Sequence, residues 1–307
     1  MASNKELTLA TRPVPGYSVK DTMAKNSQIE WTHHTFNPWW GCSKVSPACD
    51  NCYAELWAKR MGHQLWGGDA PRRFFSDSHW RDPLVWNEEA GSEKVRARVF
   101  CASMADVFEK RYDLDGQRKR LWKLIAETPN LDWLLLTKRP QNIGSMIPWK
   151  AEAWPDNVWL GTTVENQKFA GQRLPHLLKH KAAVRFLSCE PLLGPIDLSP
   201  WTKAKDLQPI DWVIAGGESG PGARPMHPDW ATKLLAQCQE KNIAFHFKQW
   251  GHWVPAEIAT HTPKSSIISL PAERPVTMVR LPKKEAGRML QGTTWDGVPV
   301  GRDLVHG

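Results

Sequence analysis

The 307-residue sequence has no apolar run approaching the roughly 20 residues of a membrane-spanning helix, so no membrane partner is expected. Its first 26 residues are polar, with Lys5, Arg12, Lys20 and Lys25 scattered among Pro and Ser, and hold no apolar core of a secretory signal. Cysteine is scarce. There are six, three of them within eleven positions, which is not the disulfide framework of a small secreted domain. A reducing cytoplasm fits that usage better. There is no internal repeat, and no G-x-G-x-x-G fingerprint to mark a dinucleotide fold.

What is present is a positive balance and many indoles. The formal charge of +8 and a pI near 9.2 attract phosphate at long range, although 23% charged residues is ordinary for a soluble domain. The 18 Trp could stack on bases or fill a core, and core packing is the reading for most of them. The length allows one large α/β domain with a sizeable core.

Short runs rich in β-branched and aromatic residues predict strands at 98–103, 132–138, 158–163, 184–189, 211–217 and 244–249, with a weaker one at 35–40. Runs apolar on both faces read as buried parallel strands. Helices are predicted at 53–62, 115–127, 167–180 and 229–241, the last with Trp230, Leu234, Leu235 and Cys238 at helical spacing. This alternation predicts an α/β fold, a partial parallel (β/α) barrel of six or seven strands spanning 29–250. Residues 1–28 are expected to be a flexible extension, 67–94 an insertion whose Trp66, Trp80 and Trp86 could cover the barrel mouth, and 251–307 a loop-rich cap or tail.

The chemistry concentrates in Cys42, Cys49 and Cys52, a C-x6-C-x2-C set between a strand and a helix. Three thiolates can converge on one metal centre, and a cluster so held keeps one iron without a protein ligand, open to a chelating substrate. The alternative is a structural Cys3His zinc site with His33, His34 or His63 as the fourth ligand. A zinc nucleobase deaminase fits poorly, because Pro47 stands one residue too early for P-C-x-x-C and no H-x-E precedes it.

The spacing resembles the radical S-adenosylmethionine (SAM) superfamily, whose usual motif is C-x3-C-x2-C at the start of a partial β/α barrel; the first interval here is longer. The segments IEWTHHTFNPWWGCSKVSPACDNCYAE, FLSCEPLLGP, WVIAGGESGPGARPMHPDW and FKQWG are similar to a phage- and prophage-associated family of three-cysteine proteins, over about residues 29–250. The resemblance implies a [4Fe-4S] cluster on Cys42, Cys49 and Cys52, SAM as cosubstrate, an external electron donor, and the host cytoplasm as location if the gene is a phage's. It also implies Ser103 near the methionine part of SAM, Glu165 and Glu190 toward ribose hydroxyls or the amino group, and Tyr53 shielding the cluster or packing on adenine.

Catalytic groups of β/α barrels sit at the C-terminal strand ends, and the predicted ends are polar. They carry Ser103 and Asp106; Thr137, Lys138 and Arg139; Thr163 and Glu165; Ser188, Cys189 and Glu190; Gly216, Gly217, Glu218 and Ser219; and Lys248 and Gln249. Cofactor contacts are expected from Ser103, Thr137, Lys138, Glu165, Ser188, Gly216, Gly217, Glu218 and Tyr53, and catalytic roles from Cys189, Glu190 and Lys248. Helix caps, solvated loops and a buried free cysteine explain some of these equally well. Lys138, Arg139, Arg173, Arg185, Arg224 and Lys248 are the candidate phosphate contacts, the alternative being that some of them pair with the nearby carboxylates Glu165, Glu190 and Glu218.

The expected activity is cleavage of SAM to a 5′-deoxyadenosyl radical that acts on a modified base of phage DNA, for example a hypermodified thymine, as an isomerase or other C–H-activating enzyme. The alternatives are an RNA, nucleotide or peptide substrate, or a non-catalytic nucleic-acid-binding module with structural zinc.

Overall fold

Six of the apolar runs form strands within two residues of their expected bounds. The structure, a computed structural model, describes residues 27, 29–150, 153–261, 267–271 and 275–299. The strands are β1 (His34–Thr35), β2 (Ala97–Cys101), β3 (Leu131–Thr137), β4 (Val158–Thr163), β5 (Val184–Cys189), β6 (Trp212–Gly216) and β7 (Ala244–Gln249). They make one seven-stranded sheet in sequence order, with every pair parallel. Right-handed crossovers between successive neighbours put every connecting helix on one face. The other face must then bury itself, and the sheet becomes a partial (β/α) barrel.

Side-chain alternation shows both faces. Trp133, Leu135, Leu160, Leu187 and Val213 meet the helices, whereas Phe100, Leu134, Trp159, Phe186, Trp212 and Ile214 fill the interior together with Trp31. The interior rings meet edge-on, Trp31 on Phe100 at 4.7 Å and Trp159 on Trp212 at 6.1 Å between centroids. This aromatic plug closes the barrel below its mouth and accounts for several of the tryptophans.

The helices are α1 (Tyr53–Arg60), α2 (Asp77–Ser92), α3 (Asp115–Glu127), α4 (Gln167–Leu177) and α5 (Pro228–Glu240). The segment expected as an insertion contains α2. Its Trp80 and Trp86 are buried, Trp80 edge-on to Phe36 and Trp86 stacked on His34 at 4.5 Å, so α2 belongs to the helical layer and these rings do not cover the mouth. The weak strand is shorter than expected, because Trp39–Trp40 leaves the sheet to pair antiparallel with Arg73–Phe74. Past the barrel, the expected loop-rich region holds a small antiparallel sheet of β8 (Trp253–Pro255), β9 (Ile267–Leu270) and β10 (Val276–Arg280), with β10 central. The N-terminal extension lies almost wholly outside the described residues.

Two buried histidines give the fold an acid limit. Burial and the nearby Arg288 hold His246 on β7 down to about 4, and burial with Arg98 holds His33 down to about 3. Both are neutral when folded and titrate near 6.5 when unfolded, so their contribution is full above that pH and is lost as pH falls from 6.5 toward 4. Thermal melts over that window should show Tm falling with pH, and His246→Gln should flatten the fall. An equal fall in the variant would remove His246 from the account.

Candidate active site at the C-terminal strand ends

The loop after β1 carries the three cysteines across the strand exits. Cys49 closes a 3-10 turn, Pro47–Cys49, and Cys52 is the N-cap of α1; all three thiols are free and partly buried. The loop is sewn to the exit of β2. Asn37 donates to Ser103 Oγ at 3.0 Å and accepts from the Met104 amide at 2.7 Å, while Tyr53 donates its hydroxyl to the Ser103 carbonyl at 2.8 Å. Tyr53 leaves 59% of its surface exposed even so.

Beneath the loop lies a buried ionic network. Arg139 Nη1 donates to Asp106 Oδ2 at 2.9 Å and points at Cys42 Sγ at 3.7 Å, and its Nη2 donates to the carbonyl and hydroxyl of Ser43 at 2.9 and 2.8 Å. Ser43 in turn donates to Glu109, which also accepts two bonds from Arg72, at 3.1 and 2.8 Å. Asp106 accepts further from the Thr137 hydroxyl and the amides of Lys138 and Phe108, and Arg139 with these bonds holds its carboxyl below the usual range against the opposing effect of burial. Burial pushes the Cys42 thiol up to about 12, with Arg139 pulling the other way. A metal or cluster bound at this sulfur would therefore have to replace a tightly held proton.

A second tie joins the loop to the exit of β6. Glu218 accepts from Arg224 Nη2 at 2.6 Å and Nε at 2.9 Å and from Asn51 Nδ2 at 3.0 Å, and Arg224 reaches Asp50 at 3.2 Å and the Pro47 carbonyl at 2.8 Å. Glu218 is therefore occupied in fastening the two loops together. Between these ties, Glu190 pairs with Lys248 at 3.3 Å. The two glycines at the exit of β6 serve different ends. A Cβ on Gly216 would lie 2.8 Å from Glu190 Oε1, and one on Gly217 would lie 1.9 Å from the backbone oxygen of Trp250. Gly217→Ala should thus cost several kcal/mol, since backbone cannot yield as a side chain can. Gly216→Ala should leave Tm within a few degrees and move Glu190; melting curves of the two variants check the contrast.

Several expected site residues are buried. Cys189 alternates with Ser188 and faces the helices beside Cys238, with burial raising its thiol well above the usual range, so it is packed in the core and away from the mouth. Thr137 is 1% exposed and spent on Asp106. Arg185 sits at the start of its strand, tied to Asp211 and to the carbonyls of Pro209 and Ala182, which removes it from the phosphate candidates. Ser188 is buried on β5. Glu165 is fully buried; Arg173 donates to its Oε2 at 2.7 Å, while its Oε1 has no hydrogen-bond partner. Asn37, Asn51, Arg72 and Glu109 were not singled out from the sequence. Asn37 and Asn51 lie within the cysteine-bearing segment, whereas Arg72 and Glu109 have no local signal.

The three thiols suit an iron–sulfur cluster by their donor chemistry and their single loop. His33 accepts from the Arg98 amide, His34 stacks on Trp86 and His63 meets Arg73 at 3.1 Å. Among the described residues no group of three His, Cys, Asp or Glu side chains converges to hold a single metal ion.

Comparison with known families places the sequence. Residues 26–299 match the family described as "Protein of unknown function (DUF5131)". The chain belongs to that family. No curated protein matches the sequence. Among solved structures the chain is similar to a spore photoproduct lyase mutant, at 11% identity and a TM-score of 0.46, with 90% of this chain and 81% of that one covered. It is also similar to spore photoproduct lyase complexed with dinucleoside spore photoproduct, at 12% identity and a TM-score of 0.43, with 85% and 72% covered. These are likenesses of chain path at low identity.

Proposed function

We propose that this chain is a radical SAM enzyme acting on a base in DNA. The observation that carries the reading is the cysteine loop itself, three thiols and no fourth, held over the strand ends of a partial β/α barrel by Asn37, Tyr53 and Arg224. Cys42, Cys49 and Cys52 would hold a [4Fe-4S] cluster, which when bound and reduced would supply the electron for cleavage of SAM to methionine and a 5′-deoxyadenosyl radical. The chain's own groups bind and orient. Glu190 and Lys248 present a carboxylate and an ammonium at the mouth, over the Cβ-free surface of Gly216, and suit the charged amino-acid end of SAM or a polar substituent of the base. The unpartnered Glu165 Oε1 suits a hydroxyl or amino donor. The aromatic plug excludes water from below.

The charge of +8 supports a polyanionic substrate, and the resemblance to phage-associated proteins supports a hypermodified thymine, with isomerisation as one outcome. A spore photoproduct lyase mutant, a structural neighbour, has been solved with bound AdoMet and dinucleoside spore photoproduct. The test is anaerobic reconstitution with iron and sulfide, then dithionite and SAM, reading iron content, visible absorbance and 5′-deoxyadenosine together. About four irons per chain with cleavage is the expected result; stoichiometric zinc and no cleavage would make this a structural metal protein.

A further inference from the structure

A cleft of about 470 Å³ opens on the outer side of the cysteine loop. It is lined by Ser43 and Val45 of that loop and by Phe169, Gln172, Arg173 and His176 of α4. Glu109, Lys110 and Arg111 after β2 and Lys138, Arg139, Gln141 and Asn142 after β3 complete the lining.

The charges of this lining separate into two kinds. Arg139 is neutralised by Asp106, Arg173 by Glu165 and Arg111 by Asp113, while the carboxylate of Glu109 is taken by Arg72. What remains is Lys110 and Lys138, neither of which has an ion-pair partner among the described residues. The surplus is therefore two positive charges on flexible stems. Neutral amides flank them, from Gln141 and the exposed Gln172, with donors suited to oxygen acceptors. Arg173 is stacked over Phe169 at 4.5 Å.

We propose that this cleft is a subsite for two consecutive backbone phosphates of a nucleic-acid strand, held by Lys110 and Lys138. The surplus matches two phosphodiesters, each singly charged, and amide donors suit their unesterified oxygens. The cleft borders Ser43, next in the chain to Cys42, so a strand seated there lies against the cysteine loop and brings a neighbouring nucleotide toward the mouth. This inference rests on the nucleic-acid part of the function proposed above and not on SAM chemistry.

The experiment is fluorescence anisotropy of a labelled single-stranded oligonucleotide with the reconstituted full chain, titrated at several salt concentrations. Lys110→Ala and the Lys110→Ala/Lys138→Ala double variant are compared with the parent, and Gln172→Glu adds an opposing charge without touching either lysine. The slope of log affinity against log salt should fall by about 0.7 for each lysine removed, with roughly fivefold or greater weakening at low salt, and Gln172→Glu should weaken binding as well. Substrate-free SAM cleavage by Lys110→Ala should stay at the parental rate.

Unchanged slopes, or a parent that cleaves SAM yet binds no oligonucleotide, overturn the subsite. Reduced slopes in a protein that takes up no iron leave the subsite standing and remove the radical SAM reading. If Lys110→Ala keeps oligonucleotide binding, yet loses cleavage driven by an acidic electron-carrier protein while dithionite-driven cleavage is intact, the cleft belongs to a reductant and the proposal fails.

Discussion

Replacing any one of Cys42, Cys49 and Cys52 by Ala should take the reconstituted protein from about four irons per chain to a small fraction of that and bleach its broad visible absorbance. 5′-Deoxyadenosine formation should fall below detection. The effect is this large because the loop offers no substitute ligand: Cys101, Cys189 and Cys238 are all buried in the core, and burial raises each of their thiols, Cys238 to about 12. The fold should survive the change. The loop is fastened by Asn37, Tyr53, Arg224 and Arg139, none of which depends on a cysteine side chain except through the Arg139 contact at 3.7 Å. The melting temperature of the iron-free variants should then match that of the iron-free parent. Cys189→Ala and Cys238→Ala serve as controls and should load iron fully. A brown Cys49→Ala protein with its full iron content would sink the ligand assignment, and iron loss from Cys189→Ala would return that residue to the site.

The strands were legible because their runs are apolar on both faces, which only a buried parallel sheet explains; 158–163 and 244–249 match the structure at both ends. The cysteine loop was legible because its spacing is local. Two kinds of feature were hidden. One was any role set by which face of a strand a residue occupies at its last position: Ser188 and Cys189 read alike as an exit pair, yet one residue of register sends Cys189 into the helical layer. The other was long-range pairing. Arg224 and Glu218 pair with each other over six residues, a local contact, but their further partners Asp50 and Asn51 lie more than 160 residues away in sequence. The stretch containing α2 read as an insertion because the interval between the first two strands is too long for one helix; two helices, α1 and α2, fill that crossover. The plug had no local signal either, since Trp31, Trp159 and Trp212 come from separate segments and meet only when the sheet curls.

Arg139→Met should be the most damaging substitution outside the cysteines, and through two separable effects. Its side chain is 8% exposed and faces Asp106 and Glu109, at 7% and 4%, so removing the guanidinium leaves Asp106 buried beside no cation. Breaking a buried pair from one side costs about 3–5 kcal/mol, and a fall in Tm on the order of 10 °C follows for a domain of this size. The second effect concerns the cluster. A cationic N–H directed at a ligand sulfur favours the more negative, reduced state, so its loss should lower the reduction potential. A charge-assisted hydrogen bond worth about 1.5–3 kcal/mol sets a ceiling of roughly 60–130 mV for one electron, reached only if the bond acts wholly in the reduced state. Arg139→Lys separates the two. Lysine keeps a charge for Asp106 but has no planar fork to reach Ser43 and Cys42 as well, so most of the stability should return while the potential stays low. Thermal melts paired with a spectroscopic redox titration of both variants decide the matter: an unchanged potential in Arg139→Met, with stability lost, would confine Arg139 to holding the loop in place.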